Sequence, residues 1–186
     1  VLYNCCKEEV RQMDPRTIRT RQLIVDSFHT LIRTTDFSHI SVKMITETAH
    51  INRATFYAHF VDKYELLDTV LQQLVEEQLA EATSKTVGEQ LIKELFTGIA
   101  NVHDAMHSSC RKGYDSFASM IEEVAKNETK ALLARVLPAS SERERQMISW
   151  AIYGAFSQWQ HTHSETVEQA AAATATLLEP MLGAIK

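Results

Sequence analysis

Two helix-start signals in close succession limit what this chain can fold into more than any other feature of it. Ser41 precedes a short apolar pattern through Val42, Ile45 and Ala49, and Asn52 opens a second over 53–59 after a break of only three residues. Ser and Asn side chains accept hydrogen bonds from the unpaired N–H groups of a helix's first turn, so each marks an N-terminus. Two short helices joined by so few residues form a helix-turn-helix. The rest of the chain is predicted to be helical too. Five Gly and three Pro in 186 residues supply too few turn-formers for a many-stranded sheet, whereas a handful of long helices needs few. The predicted fold class is all-α, a three-helix helix-turn-helix domain followed by a larger helical region.

Periodicity places the remaining helices. Asp14-Pro15 combines a capping carboxylate with a proline whose missing N–H costs nothing at the first helical position, and Ile24, Phe28, Leu31 and Ile32 carry the stripe to about Thr34. Asp62 and Glu65 form a reciprocal cap ahead of Leu66, Leu67, Val70, Leu71, Leu74 and Val75, predicting a helix to about Glu81. Thr86 with Glu89 opens a helix through Leu91, Leu95, Ile99, Val102 and Met106 to about Ser108. Residues 114–137 read as helical with a break near Asn127, and Pro138 forbids continuation. Ser141 with Glu144 opens the next helix, and 165–178 form the last, stopped by Pro180. Residues 1–12 show no clean period and are expected to be a leader or disordered arm. The codons for Lys7-Glu8-Glu9-Val10 would be purine-rich like a ribosome-binding site, which makes Met13 the expected start.

Charge divides the chain. The net charge is −5, yet 14–64 hold seven Lys/Arg against five Asp/Glu, while 65–186 hold ten against seventeen. A basic head on an acidic body is the balance of a nucleic-acid-binding module joined to a non-binding one. No apolar run reaches the 18 residues of a membrane span, and the N-terminus lacks a secretory pattern. Three cysteines, two of them adjacent, fit neither a disulfide framework nor a four-ligand zinc site, so a reducing cytoplasmic compartment is expected.

The paired helices suit double-stranded DNA, whose major groove admits one α-helix. Ser41 and Asn52 mark helix N-termini with free N–H groups and partial positive charge, and Lys43 adds a cation, so these three are candidate phosphate contacts. Arg53 and Thr55, at the start of the second helix, are the candidates for base edges, Arg53 because a guanidinium donates two hydrogen bonds to guanine. Tyr57, His59 and Lys63 lie where hydroxyl, imidazole and ammonium would clasp the backbone. Phe37, Ile40, Val42, Ile45, Ala49, Ile51, Phe56 and Phe60 are assigned to the core of the head.

From about Arg21 to Leu67 these residues resemble the N-terminal DNA-binding domain of TetR/AcrR-like bacterial repressors. The likeness is carried by Ile24, Leu31, Phe37, Ser41-Val42-Lys43, Ile45, Ala49, Ile51-Asn52-Arg53, Thr55-Phe56-Tyr57, His59-Phe60, Asp62-Lys63 and Glu65-Leu66. Asp36 and His50 stand where glycine is common in that family; a turn residue with positive φ is cheap for Gly and tolerated by His. The resemblance implies a reading helix third in the chain, an all-helical effector domain and a homodimer built from the last two helices. The expected domains are thus 13–64 for DNA binding and 65–186 for effector binding and dimerisation.

The body holds no phosphate loop, nucleophile elbow or catalytic carboxylate pair, so an enzyme is not expected and no cofactor is implied. Large adaptable side chains suited to a small-molecule effector are Phe96, Ile99, His103, Tyr114, Phe117, Met120, Trp150, Tyr153 and Phe156. His103, His107 and Cys110 share one helical face and offer a weaker metal-binding alternative, a metal-responsive regulator or metal-binding helical protein. Ala151, Gly154, Ala155, Ala171 and Ala175 are small residues on the last two helices that would let a second copy approach, an isologous contact matching a palindromic operator. Repression and activation both remain open, as does a helical adaptor that binds protein through its last helices.

Overall fold

A computed structural model describes residues 14–80, 88–109, 118–162, 164–183 and 185. Among the described residues there are eight α-helices, one 3-10 turn and no strand. They are α1 Pro15–Ile32, the 3-10 turn Phe37–His39, α2 Val42–Thr48, α3 Arg53–Tyr57, α4 Lys63–Ala80, α5 Glu89–Ser109, α6 Ala118–Val136, α7 Glu142–Thr162 and α8 Val167–Gly183. Two compact units form, the head running to Leu67 and the body beginning at Asp68. The expected leader, 1–12, lies outside the described residues, as do Thr86, Cys110, Tyr114 and Phe117.

The head is built on local caps. The Asp14 carboxylate accepts from Arg16 N–H at 2.8 Å, Ser41 Oγ from Met44 N–H at 3.3 Å, and Asn52 Oδ1 from Thr55 N–H at 2.7 Å. Asp62 accepts from the N–H groups of Tyr64 and Glu65 while Glu65 reaches back to Val61 N–H, so the reciprocal cap closes one residue earlier than its simplest form. Within these ends Ile24, Phe28, Phe37, Ile40, Ile45, Phe56, Phe60 and Leu66 are buried in one core. Phe28 and Phe37 meet edge to face at 6.2 Å, and Phe56 and Phe60 lie at 5.8 Å. The 3-10 turn was not legible from periodicity. Asp36 caps it, accepting from both the N–H and the hydroxyl of Ser38, at φ −56°, so no left-handed conformation is needed where a glycine is usual.

In the body, α6 runs unbroken through Asn127, correcting the expected break. Asn127 is exposed, while Val124, Ala125, Glu128, Thr129, Leu132 and Leu133 keep a continuous buried stripe on either side of it. Burial of that stripe outweighs the few tenths of a kcal/mol that Asn costs in a helix, about 0.7 at most. Likewise α8 continues past Pro180 to Gly183. Pro180 is exposed and within a turn of the helix end, so the lost backbone bond falls where water replaces it, and Leu182 beyond it is buried. A cap that sequence reading missed starts this helix: Thr166 and Gln169 exchange side chain to backbone bonds at 2.9 and 3.3 Å. Gly98 in α5 faces α4, where a Cβ would lie 2.7 Å from Leu79 Cδ2, so glycine permits the close approach of these two helices.

Candidate functional site

The turn between α2 and α3 fixes how the second helix is presented. His50 has φ 53°, the single positive-φ non-glycine residue among those described. Around it Ile51 N–H donates to Thr46 C=O at 3.0 Å and His50 N–H to Glu47 C=O at 3.3 Å, the paired bonds of a Schellman end. These satisfy the last carbonyls of α2 and redirect the chain within three residues into the Asn52 cap of α3. Position 50 is therefore the left-handed turn residue expected from the sequence.

On α3 the exposed side chains are those that could reach a groove. Arg53 is exposed and makes no ion pair or hydrogen bond with the described residues. Tyr57 is 57% exposed, its ring resting edge-on against buried Phe56 at 5.5 Å and its hydroxyl end in solvent. Thr55 is half-buried and gives its hydroxyl proton to Asn52 Oδ1 at 3.0 Å, so its first duty is to the cap. Ser41 is similarly engaged by its own helix, and Lys43 is exposed in an i,i+4 pair with Glu47 at 3.7 Å. Such a pair is weak enough to yield to a phosphate.

Two cations brace this surface from behind. Arg21 of α1, which sequence reading did not single out, lays its guanidinium 4.2 Å over the Phe60 ring and donates to the His59 carbonyl at 3.1 Å. Burial, with Arg21 nearby, holds the His59 imidazole below its usual range. Lys63 corrects an expectation. Its ammonium donates to the carbonyls of Phe37, Ser38 and Ile40 at 2.8, 3.3 and 2.8 Å, and sits 4.5 Å over the Phe37 ring. An ammonium has three protons and all three are used inside the head. Lys63 ties α4 to the 3-10 turn and is not presented as a phosphate clasp.

The comparisons agree with this geometry. Residues 24–70 match the model of bacterial regulatory proteins of the tetR family. The likeness to that family thus spans about a quarter of the chain. Over 102 residues it is 32% identical to the HTH-type transcriptional regulator YxbF of Bacillus subtilis (strain 168), a match spanning 54% of this chain and 27% of that protein, so little more than a quarter of the curated relative is represented. The fold is also similar to the TetR family repressor AlkX from Dietzia sp. strain DQ12-45-1b, implicated in biodegradation of n-alkanes, at TM-score 0.58 and 16% identity over 89% of this chain and 96% of that one. A third likeness is to the dihydroxyacetone kinase operon activator DhaS, at TM-score 0.55 and 18% identity over 91% and 99% of the two chains.

In the body a cavity of about 410 Å³ opens between α5, α6 and α7. His103 of α5, Ala118, Ser119 and Glu122 of α6, and Tyr153, Ser157, Gln160 and His161 of α7 line it. Of the residues expected to meet an effector, the structure brings His103 and Tyr153 together there, Tyr153 Oη lying 3.3 Å from His103 Nε2. Phe96, Ile99 and Phe156 are core instead, each at most 1% exposed, with the Phe156 ring tilted against the His103 ring at 4.4 Å. Trp150 is 58% exposed and lines a second hollow with Lys126; Met120 lines neither. Sequence reading missed Ser119, Glu122, Ser157, Gln160 and His161 because it sought large apolar groups. Burial lowers the His103 pKa to about 4, partly opposed by Glu122, so the imidazole is neutral at neutral pH.

The metal alternative gains no support. Among the described residues no three His, Cys, Asp or Glu side chains come together in a way that could hold an ion. Cys110 and the side chain of His107 lie outside the described residues, and His103 turns toward aromatic neighbours. On the last two helices the small residues divide. Ala171 and Ala175 are buried within the protomer, at 2% and 0% exposure, correcting their expected place at a partner's surface. Gly154 is exposed and Ala151 and Ala155 half-buried, and nothing lies within 4 Å of a Cβ built on Gly154.

Proposed function

We propose that this chain is a DNA-binding transcriptional regulator of the cytoplasm, acting as a homodimeric repressor on a palindromic operator and released when a small molecule occupies the body. The observation that carries it is the exposed face of α3, with Arg53 and Tyr57 projecting from a helix whose entry is fixed by the His50 turn. Arg53 reads bases and Tyr57, Lys43 and the segment near His59 hold backbone. Large apolar groups left in solvent on α7 and α8 support the dimer: Met147 at 53%, Trp150 at 58% and Leu177 at 77% exposure, beside the open Gly154. An effector acts by favouring the spacing of heads that does not fit the operator, each tenfold loss of affinity requiring about 1.4 kcal/mol of coupling.

Binding of the purified chain to its own upstream intergenic DNA, against a scrambled duplex and across salt concentrations, tests this. Specific, salt-dependent binding with an even number of protomers per site is expected. Equal affinity for both duplexes would refute the proposal.

A further inference from the structure

Seven of the eight residues lining the body cavity carry a hydrogen-bonding group, and Ala118 alone does not. A wall of that kind desolvates badly around an acyl chain, because each buried hydroxyl or amide that loses water without gaining a partner costs about 1–3 kcal/mol. Its charges are already matched. Glu122 contributes the wall's carboxylate, and Lys126 of the next turn of α6 meets it at 2.7 Å. Lys126 is further held 5.3 Å over Trp150 and 5.7 Å over Tyr153. An organic cation would have to displace this ammonium, and an organic anion finds no Lys or Arg on the lining. On the same lining, the buried His103 and Tyr153 pair offers imidazole and phenol as directional neutral groups at 3.3 Å. Ser119 of α6 and Ser157 and Gln160 of α7 add donors and acceptors to the lining.

We infer that this cavity receives a small neutral molecule rich in hydroxyl or amide groups, and that such a molecule is the effector of the regulator proposed above. The volume of about 410 Å³ is within the range of small-molecule sites. The effector role rests on that functional proposal; the occupancy of the cavity does not.

The test is thermal melting of the full chain with ribose, sorbitol, uridine and nicotinamide as neutral probes, octanoate as an acyl anion and putrescine as a cation. At least one neutral probe is expected to raise Tm by about 3 °C at tenfold excess over its Kd, with no shift from the other two. The shift should vanish in Ser157→Leu, which fills the cavity, and in Ser119→Leu, whose exposed position leaves folding undisturbed. A shift from octanoate or putrescine alone, none from any neutral probe, or one that survives both leucines overturns the inference. Operator binding in the same samples separates the two readings. A neutral probe that binds and leaves operator affinity unchanged removes the effector role, whereas a Tm shift in a chain that never prefers its operator strikes the regulator reading and leaves the cavity assignment standing.

Discussion

The ammonium of Lys63 donates to the Phe37 carbonyl at 2.8 Å and, through its other protons, to Ser38 and Ile40, so one side chain at the start of α4 closes the 3-10 turn on which α2 begins. Charge-assisted bonds, two of them here part-buried, are worth more than ordinary neutral surface contacts. Lys63→Ala is expected to cost about 2 kcal/mol of head stability, read by urea denaturation. The salt dependence of DNA binding should keep its slope. A slope reduced by about one would return Lys63 to the phosphate contacts.

Arg53 has no such internal role. Arg53→Ala should leave Tm within about 1 °C, consistent with a surface change of under 0.5 kcal/mol, and cost about 1–3 kcal/mol of operator affinity with relaxed base preference. Tyr57→Phe should weaken all sequences alike and leave folding intact, since the hydroxyl projects from a ring already supported by Phe56. Anisotropy titrations on operator and single-base variants distinguish the two. Equal loss of preference in both variants would contradict the division of roles.

His50 holds a left-handed backbone that a Cβ disfavours by roughly 1–2 kcal/mol, part of which glycine returns as unfolded-state entropy. His50→Gly is therefore expected to stabilise the head by about 0.5–1 kcal/mol, and His50→Ala is not. Melting curves of the three proteins decide. A lower Tm for the glycine variant would mean that the imidazole supports the turn more than the backbone strains it.

His103 ties body stability to pH. Its folded pKa of about 4 lies below the unfolded value near 6.5, so below 6.5 the unfolded chain binds the proton first and stability falls as pH drops toward 4. The full loss is about 3 kcal/mol, and it is absent above pH 7. His59, also lowered, adds a loss of the same sign. Denaturation of wild type and His103→Gln at pH 7.5, 6 and 5 isolates the His103 share as a double difference. Parallel pH profiles would show that the imidazole is not held neutral.

Much of the head was legible in the sequence because its signals are local. Asp14, Ser41, Asn52 and Asp62 each cap a helix within three residues of themselves, and a capping bond needs no distant partner. The same locality exposed the positive φ at His50. Other assignments failed for lack of it. A break at Asn127 and a stop at Pro180 are what propensity alone would give, and buried stripes packed against other helices overrode both. Lys63 reads as a free cation until the chain brings residues 23 to 26 positions away onto its ammonium. The cavity is the extreme case. Periodicity assigns His103, Ser119 and Ser157 to helix faces, but which faces meet is decided by packing of three helices, and only there do scattered polar residues become one wall. Local hydrogen bonding and helical period determined the elements and the helix-turn-helix, while long-range burial decided which cation braces the head and which side chains line the cavity of the body.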